Sequence, residues 1–446
     1  MWLVTVDAEN GAENDFGLGW CFETDPSFAE ELAWMDKFVS TEVEPLDHLV
    51  THPLDLDDPV RQRLIPPLQQ RVKERGLWAA HLDQELGGQG YGQLRLALMN
   101  EILGRSRCAP TVFGCQAPDS GNAEILALFG SEDIKARYLQ PLLDNTVVSA
   151  FSMTEPRGGS DPLGFVTAAV PDGDDWVLNG EKWFTSHANF AAFFIVLAVT
   201  EPEDPGHGRM SMFVVPSDTP GVEIVRNVGL YGEQAGEGSH SYVRYTDVRI
   251  PGDHLLGGRG EGFHVAQTRL GGGRIHHAMR TVGMARRALD AMCERVLSRT
   301  TKGSRLADKQ LVQAMIADSH VELEQFRLLV LQTAWKIDRY QNYRKVRPDI
   351  AAVKIAMPKV LHDIAGRALQ LHGSLGASEE MPFGAMVLES YQMGLVDGAT
   401  ELHKMTLARD LLAEHAPTNN LFPTQHLPTL RQAAQDQYHH QLKDLP

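Results

Sequence analysis

The chain has 446 residues, 43% of them hydrophobic and 22% charged, which suits a folded protein of two or three domains and not a disordered one. Its formal net charge of −17 argues against a general nucleic-acid or anionic-membrane binder, because such proteins concentrate Lys and Arg to meet phosphates; an anionic ligand needs a local basic site. Cys21, Cys108, Cys115 and Cys293 are scattered without CxxC or cysteine-histidine spacing, which argues against a disulfide framework or zinc site and for a reducing compartment.

No Lys or Arg precedes Lys37, so the start lacks the basic pattern of a targeting peptide, and a cytoplasmic location is expected. Residues 1–148 read as a helical domain. "SFAEELAWMDKFVSTEV" suggests a helix capped by Ser27, "ELGGQGYGQ" a loop, and "QLRLALMNEILGRS" a second helix ending at Gly104. Residues 149–256 change to short alternating or apolar runs, a middle β domain, with Asn179-Gly180 predicting a hairpin turn. The run "FAAFFIVLAV" at 190–199 is about half the length a membrane-spanning helix needs and suits a buried strand, so no membrane span is expected.

Residues 257–415 return to helical spacing: Val282, Ala285, Leu289, Met292 and Val296 share one face, as do Val312, Ile316, Ser319, Leu323, Phe326 and Val330. These long helices imply a bundle, and Pro358 predicts a kink or break in the stretch 350–371. Residues 416–446, with several Pro, Gln and His, read as a surface extension.

Three stretches offer chemistry. "TEPRGGSD" (154–161) follows a strand and either cradles a pyrophosphate with the Gly158 and Gly159 amides and the Ser160 hydroxyl, or is a plain interstrand loop. "KWFTS" (182–186) sets aromatic faces beside hydroxyls, which suits a flavin or an ordinary β core. In "GLVDGATELHK" (394–404), Asp397 is a helix cap, a base, or both. His276 and His277 lie about 100° apart on a helix, without a partner at coordinating spacing, so no metal site is expected.

Taken in order, "TEPRGGSD", "NGEK", "RTTKGSRLADKQ" (299–310), "QLHGSLG" (370–376) and the acid of "LVDG" resemble the acyl-CoA dehydrogenase family across residues 25–415. The segment "GRIHHAMRTVGMARRAL" is most similar to the subgroup whose animal members are fused to a kinase-like domain. The resemblance implies an α+β fold with an N-terminal helical domain, a middle β-barrel or sandwich and a C-terminal four-helix bundle. It also implies FAD, a homodimer or homotetramer, an acyl-CoA substrate, and an electron-transfer flavoprotein as partner.

By position, the resemblance implies that Met153, Thr154 and Ser160 contact the flavin ring and pyrophosphate. Phe184 stands where the family has a tryptophan, and Ser186 where it has a hydroxyl bonding flavin N5. Arg299, Thr301, Gln370 and Gly373 match residues that reach the FAD of a neighbouring subunit. Arg274 matches a substrate-channel arginine, and Lys345, with Arg347, is a candidate for the CoA phosphate. Two positions depart from the pattern: Lys302 replaces an aromatic residue and Ala399 a hydroxyl.

Asp397 takes the place of the family's catalytic glutamate, and Gly273 the alternative position from which some relatives supply the base. The implied reaction is α,β-dehydrogenation of an acyl-CoA to a trans-2-enoyl-CoA. Asp397 reaches about one bond, roughly 1.5 Å, less far than a glutamate. Three other readings stay open: an enzyme of the same family acting on 4-hydroxy- or 4-phosphoacyl-CoA, a flavin oxidase similar to nitroalkane oxidase, and an FAD-bearing nucleic-acid scaffold, against which the acidic charge counts.

Overall fold

The computed structural model describes residues 24–230 and 238–443; Cys21 lies outside them. The N-terminal part is built from helices α1 (Pro26–Phe38), α2 (Pro59–Glu74), α3 (Gly92–Leu103) and α4 (Asp119–Phe129) with short helical turns between. The cap of α1 is Asp25, which accepts from Phe28 N–H, not Ser27. Pro26 takes the first helical position, where a missing N–H costs nothing, and Ser27 is left inside the first turn.

The middle part is one eight-stranded sheet: β1 (Ser149–Ser152), β2 (Ala168–Asp172), β3 (Asp175–Ser186), β4 (Phe193–Val199), β5 (Met210–Pro216), β6 (Val222–Val228), β7 (His240–Pro251) and β8 (Leu255–Leu256). The order is β6-β7-β3-β2-β4-β5-β8, with β1 parallel to β4. Every residue of β4 is buried. Phe193, Ile195 and Leu197 pack toward the helices and Phe194, Val196 and Ala198 toward the other face of the sheet, which is why the strand shows no polar alternation.

Asn179-Gly180 is not a turn. β3 runs through it with a bulge, and the β2–β3 hairpin turns instead at Gly173-Asp174, after Asp172. A Cβ on Gly180 would stand 2.5 Å from the Thr167 hydroxyl, so glycine is required there for close strand approach. Asn179 is spent on Asp247: its Oδ1 accepts from the Asp247 amide and its Nδ2 donates to the Asp247 carboxylate.

Helices α5 (Gly262–Ser298), α6 (Gln310–Tyr340), α7 (Tyr343–His372), α8 (Phe383–Met393) and α9 (Thr400–Ala413) form the C-terminal bundle. Val282, Ala285, Leu289, Met292 and Val296 are all buried, and the bundle shares one core with the N-terminal helices, where Met35, Phe38 and Phe113 join Leu323 and Leu361. α7 continues through Pro358 without a break. The buried residues Met357, Leu361, Ile364 and Ala365 hold this segment against its neighbours, and tertiary packing overrides the lost hydrogen bond.

α3 and α5 meet backbone to backbone: a Cβ on Gly104 or on Gly283 would lie 2.1 Å from the carbonyl of Arg280 or of Glu101. Beyond α9, helix α10 (Leu427–Gln437) and the residues flanking it are exposed apart from the half-buried His426. Among the described residues, no helix is long and apolar enough to cross a membrane.

Candidate active site

Asp397 lies on the loop between α8 and α9 with a left-handed backbone, φ 56°, followed by Gly398 at φ 106°. It is not the cap of α9. That position belongs to Ala399, which makes no side-chain bond. The capping reading therefore falls, and the carboxylate is free for other use.

The loop is clamped from two helices. Lys354, wholly buried on α7, donates from Nζ to the carbonyls of Met393 (2.8 Å) and Val396 (2.7 Å). Arg274 on α5 donates from Nε to the Asp397 carbonyl at 2.8 Å. Burial pulls the Lys354 ammonium down to about 8, opposed by the charge of Asp397. Burial lowers Arg274 as well, again with Asp397 as the opposing charge. The Asp397 carboxylate is thus the anion that offsets two desolvated cations.

That carboxylate faces α5. Its Oδ2 lies 3.8 Å from His277 Nε2 and would stand 2.9 Å from a Cβ on Gly273. Gly273 and the Asp397 carboxylate therefore meet at one spot from two sides. The Asp397 side chain is 11% exposed. His403 packs on Gly398, and burial pushes its imidazole down to about 4.

The next turns of α5 line a polar wall. His276 bonds Gln93 Oε1 through Nε2 at 3.1 Å. A Cβ on Gly272 would meet Glu124 Oε2 at 3.2 Å, with the Tyr343 hydroxyl at 3.9 Å. Burial raises Glu124 to about 7, and lowers His277 to about 4 and His81 to about 3. His276 and His277, 100° apart on an ideal helix, take different partners: His276 meets Gln93 and His277 faces Asp397.

Arg269, one turn before Gly273, carries the site across to the sheet. Its guanidinium lies 4.0 Å over the Phe151 ring on β1 and donates to Asn122 Oδ1 at 2.8 Å. Met153 and Thr154 follow directly at the strand end. Lys182, fully buried, donates to the Met153 carbonyl at 2.8 Å and pairs with Glu155 at 3.0 Å; Glu155 in turn accepts from the Val166 and Thr167 amides. The Trp183 amide donates to the Thr154 carbonyl at 2.8 Å. The turn is held from behind, with Ser160 exposed at its tip.

Gly158 does not serve as a free amide, because its N–H closes onto the Glu155 carbonyl at 3.0 Å. A Cβ on Gly159 would press on Thr154 at 3.0 Å, so that glycine is needed for compactness. Phe184, at φ 54° in a bulge, is 37% exposed and stacks on His240 at 5.0 Å. Ser186 Oγ lies 2.7 Å from His240 Nδ1. An exposed aromatic shelf beside hydroxyls and a compact Gly-Gly-Ser turn fits a flat heteroaromatic ring with a phosphate tail.

The remaining candidates are elsewhere. Arg299 and Thr301 follow the end of α5, where Lys302 (φ 47°) and Gly303 (φ 80°) turn a small hairpin, and Gln370 and Gly373 end α7. At 1.5 Å per residue, Arg299 is roughly 40 Å along α5 from Gly273, and Gln370 roughly 24 Å along α7 from Lys354. One chain therefore does not bring these four to Asp397. Lys345 is exposed near the start of α7 with its ammonium 3.6 Å over the Tyr340 ring, and Arg347 is bonded to both carboxylate oxygens of Asp410.

Sequence reading missed Lys354, Glu124 and His240. Lys354 had a signal, a lone cation inside the apolar run "AAVKIAM".

Comparison with known proteins agrees with this layout. The chain matches the acyl-CoA dehydrogenase N-terminal domain over residues 31–146, the middle domain over 150–248 and the C-terminal domain over 260–412. It is 42% identical over 359 residues to FadE2 of Mycobacterium tuberculosis, described as a probable acyl-CoA dehydrogenase, covering 80% of this chain and 87% of that protein. Rat acyl-CoA dehydrogenase family member 11 is 38% identical over 358 residues, covering 79% of this chain and 45% of its own length; the chain thus spans less than half of that animal relative. A solved structure of a candidate acyl-CoA dehydrogenase from Mycobacterium abscessus superposes with a TM-score of 0.82 at 36% identity, covering 88% of this chain and all of that one. A helical unit, a β unit and a helical bundle that together present an acid on a clamped loop, matched in order along the sequence, place the chain in the acyl-CoA dehydrogenase family, a family of flavin-dependent oxidoreductases.

Proposed function

We propose that this chain is an FAD-dependent acyl-CoA dehydrogenase in which Asp397 removes the α-proton of a thioester, giving a trans-2-enoyl-CoA. The observation that carries this reading is the setting of Asp397: a carboxylate on a loop fixed by Lys354 and Arg274, aimed at a helix that keeps glycine where the side chain needs room. A positioned base of this kind contributes roughly 10²–10⁴-fold to proton transfer. FAD, when bound, supplies the hydride acceptor.

The protein's own groups do the rest. Thr154, Ser160, Phe184 and Ser186 would hold the cofactor, Met153 forms the edge of its ring site, and Lys182 stiffens that edge from below. Arg274, while bracing the loop, also stands where the family resemblance puts the substrate channel, and Lys345 is the candidate for CoA phosphate. Arg299, Thr301, Gln370 and Gly373 sit far along the bundle from Asp397, which supports their serving a second subunit's FAD in a dimer or tetramer. By the same resemblance electrons pass to an electron-transfer flavoprotein, and the free thiols of Cys108, Cys115 and Cys293 suit the cytoplasm.

A second reading, a substrate with a hydroxyl or phosphate on its acyl chain, is favoured by the polar wall. His276, Gln93, Glu124 and Tyr343 offer hydrogen-bonding groups around Gly272, where a plain alkyl chain gains nothing from them. The test of both is an anaerobic visible titration of the flavin-loaded protein with short, medium and long acyl-CoAs and with 4-hydroxy and 4-phospho forms. Bleaching by one class is expected and names the substrate; a bound flavin that no thioester bleaches ends the dehydrogenase reading.

A further inference from the structure

Ser186 ends β3, His240 begins β7, and the two are partners across the antiparallel ladder. The imidazole is tightly held. It is 9% exposed, Phe184 stacks on it with 19° between the planes, and the ring of His187 stands 6.5 Å away. The adjoining backbone is fixed by a bond from the His187 amide to the Ser239 carbonyl at 2.5 Å. The stack exists because Phe184 sits in the left-handed region at φ 54°, a conformation that an aromatic residue keeps only with outside support. Packing alone would be served by any flat ring, yet this ring puts a nitrogen 2.7 Å from the Ser186 hydroxyl, two residues from the Phe184 shelf.

We infer that His240 is a positioning residue for the cofactor: its Nδ1–H donates to Ser186 Oγ and so directs the single Ser186 hydrogen outward, to an acceptor nitrogen of the bound ring. The inference rests on reading this face as the flavin site. A serine hydroxyl has one hydrogen and two lone pairs. With a lone pair engaged by His240, the hydrogen is left for the ligand. Oxidised flavin N5 accepts such a hydrogen; reduced N5 carries its own and is opposed by it. The pair therefore favours the oxidised ring and keeps the reduction potential low.

The experiment is a double-mutant cycle on flavin reduction potential, measured by spectroelectrochemical titration of the FAD-loaded wild type, Ser186→Ala, His240→Phe and the double variant. His240→Phe, which keeps the stack, is expected to raise the potential, and the double variant to match Ser186→Ala alone. A wild-type potential in His240→Phe, or shifts that add in the double variant, would overturn the inference. Where His240→Phe does not retain FAD, His240→Asn decides: its side-chain amide supplies a donor, so the potential should stay near wild type, and a value like that of Ser186→Ala overturns the inference. Failure of the wild type itself to bind FAD would instead remove the flavin reading of this face, so the two failures are distinguishable.

Discussion

A Cβ on Gly273 would stand 2.9 Å from Asp397 Oδ2, so the missing side chain on α5 is what gives the carboxylate its room. Gly273→Ala should turn the tip of Asp397 aside while leaving the backbone alone. Because the displaced atom ends a short movable side chain, stability should change by less than about 1 kcal/mol. A misplacement of this order costs up to roughly 10²-fold in rate. Thermal unfolding and kcat measured together decide: an unchanged kcat would show that the carboxylate does not act from this position.

Asp397→Asn keeps shape and backbone preference but removes the carboxylate proposed as base. FAD content and acyl-CoA binding should persist, while flavin reduction slows by roughly 10²–10⁴-fold. Stopped-flow reduction at saturating substrate is the measurement, and normal reduction would refute the assignment.

Lys354→Met fills the same volume without a donor, leaving the Met393 and Val396 carbonyls unpaired. The cost is about 1–3 kcal/mol of stability for each unsatisfied group. Since the loop also carries Asp397, the proposed base, kcat should fall more than KM changes. A folded Lys354→Met protein with full kcat would dismiss the clamp as a contributor to turnover.

Acid should unfold the protein through its histidines. Burial lowers His81 and His187 to about 3 and His277 and His403 to about 4, from an ordinary 6.5. Their native values lie below the unfolded one, so between pH 6.5 and 4 the unfolded chain binds more protons and stability falls as pH falls. From pH 7 to pH 5 the loss is at most about 2 kcal/mol per histidine. Buried Glu124 and Glu389, raised to about 7, and Asp119, raised to about 6, bind protons in the native state over the same range and oppose this loss. Urea midpoints should therefore fall by less than the histidines alone would give, and a midpoint that rises from pH 7 to pH 5 would overturn the histidine account.

Gly283→Ala should damage the frame and not the chemistry. Its Cβ would press on the Glu101 carbonyl, which is backbone and has no room to yield. The expected destabilisation is about 1–3 kcal/mol or more. A midpoint equal to wild type would show that α3 and α5 separate more easily than their contact suggests.

Periodicity revealed the bundle well because long helices such as α5 bury one face over many turns, and the family motifs carried Asp397. Local signals failed where another part of the chain settled the matter. Asn179-Gly180 has the composition of a turn, but Thr167 and Asp247 draw it into a bulge. Pro358 has the chemistry of a break, but the packing of Met357 and Leu361 carries the helix onward. His240 has no signal at all, since its meaning comes from a strand partner 54 residues earlier.

The positive φ of Asp397 also ranks the acids that could stand there. Asp and Asn adopt the left-handed region more readily than other residues with a side chain, because a short polar group bonds locally. A glutamate would gain one bond of reach and meet a less willing backbone, with α5 already in contact range. The shorter acid and the bent loop therefore go together: a backbone in the left-handed region holds an aspartate more readily than a glutamate.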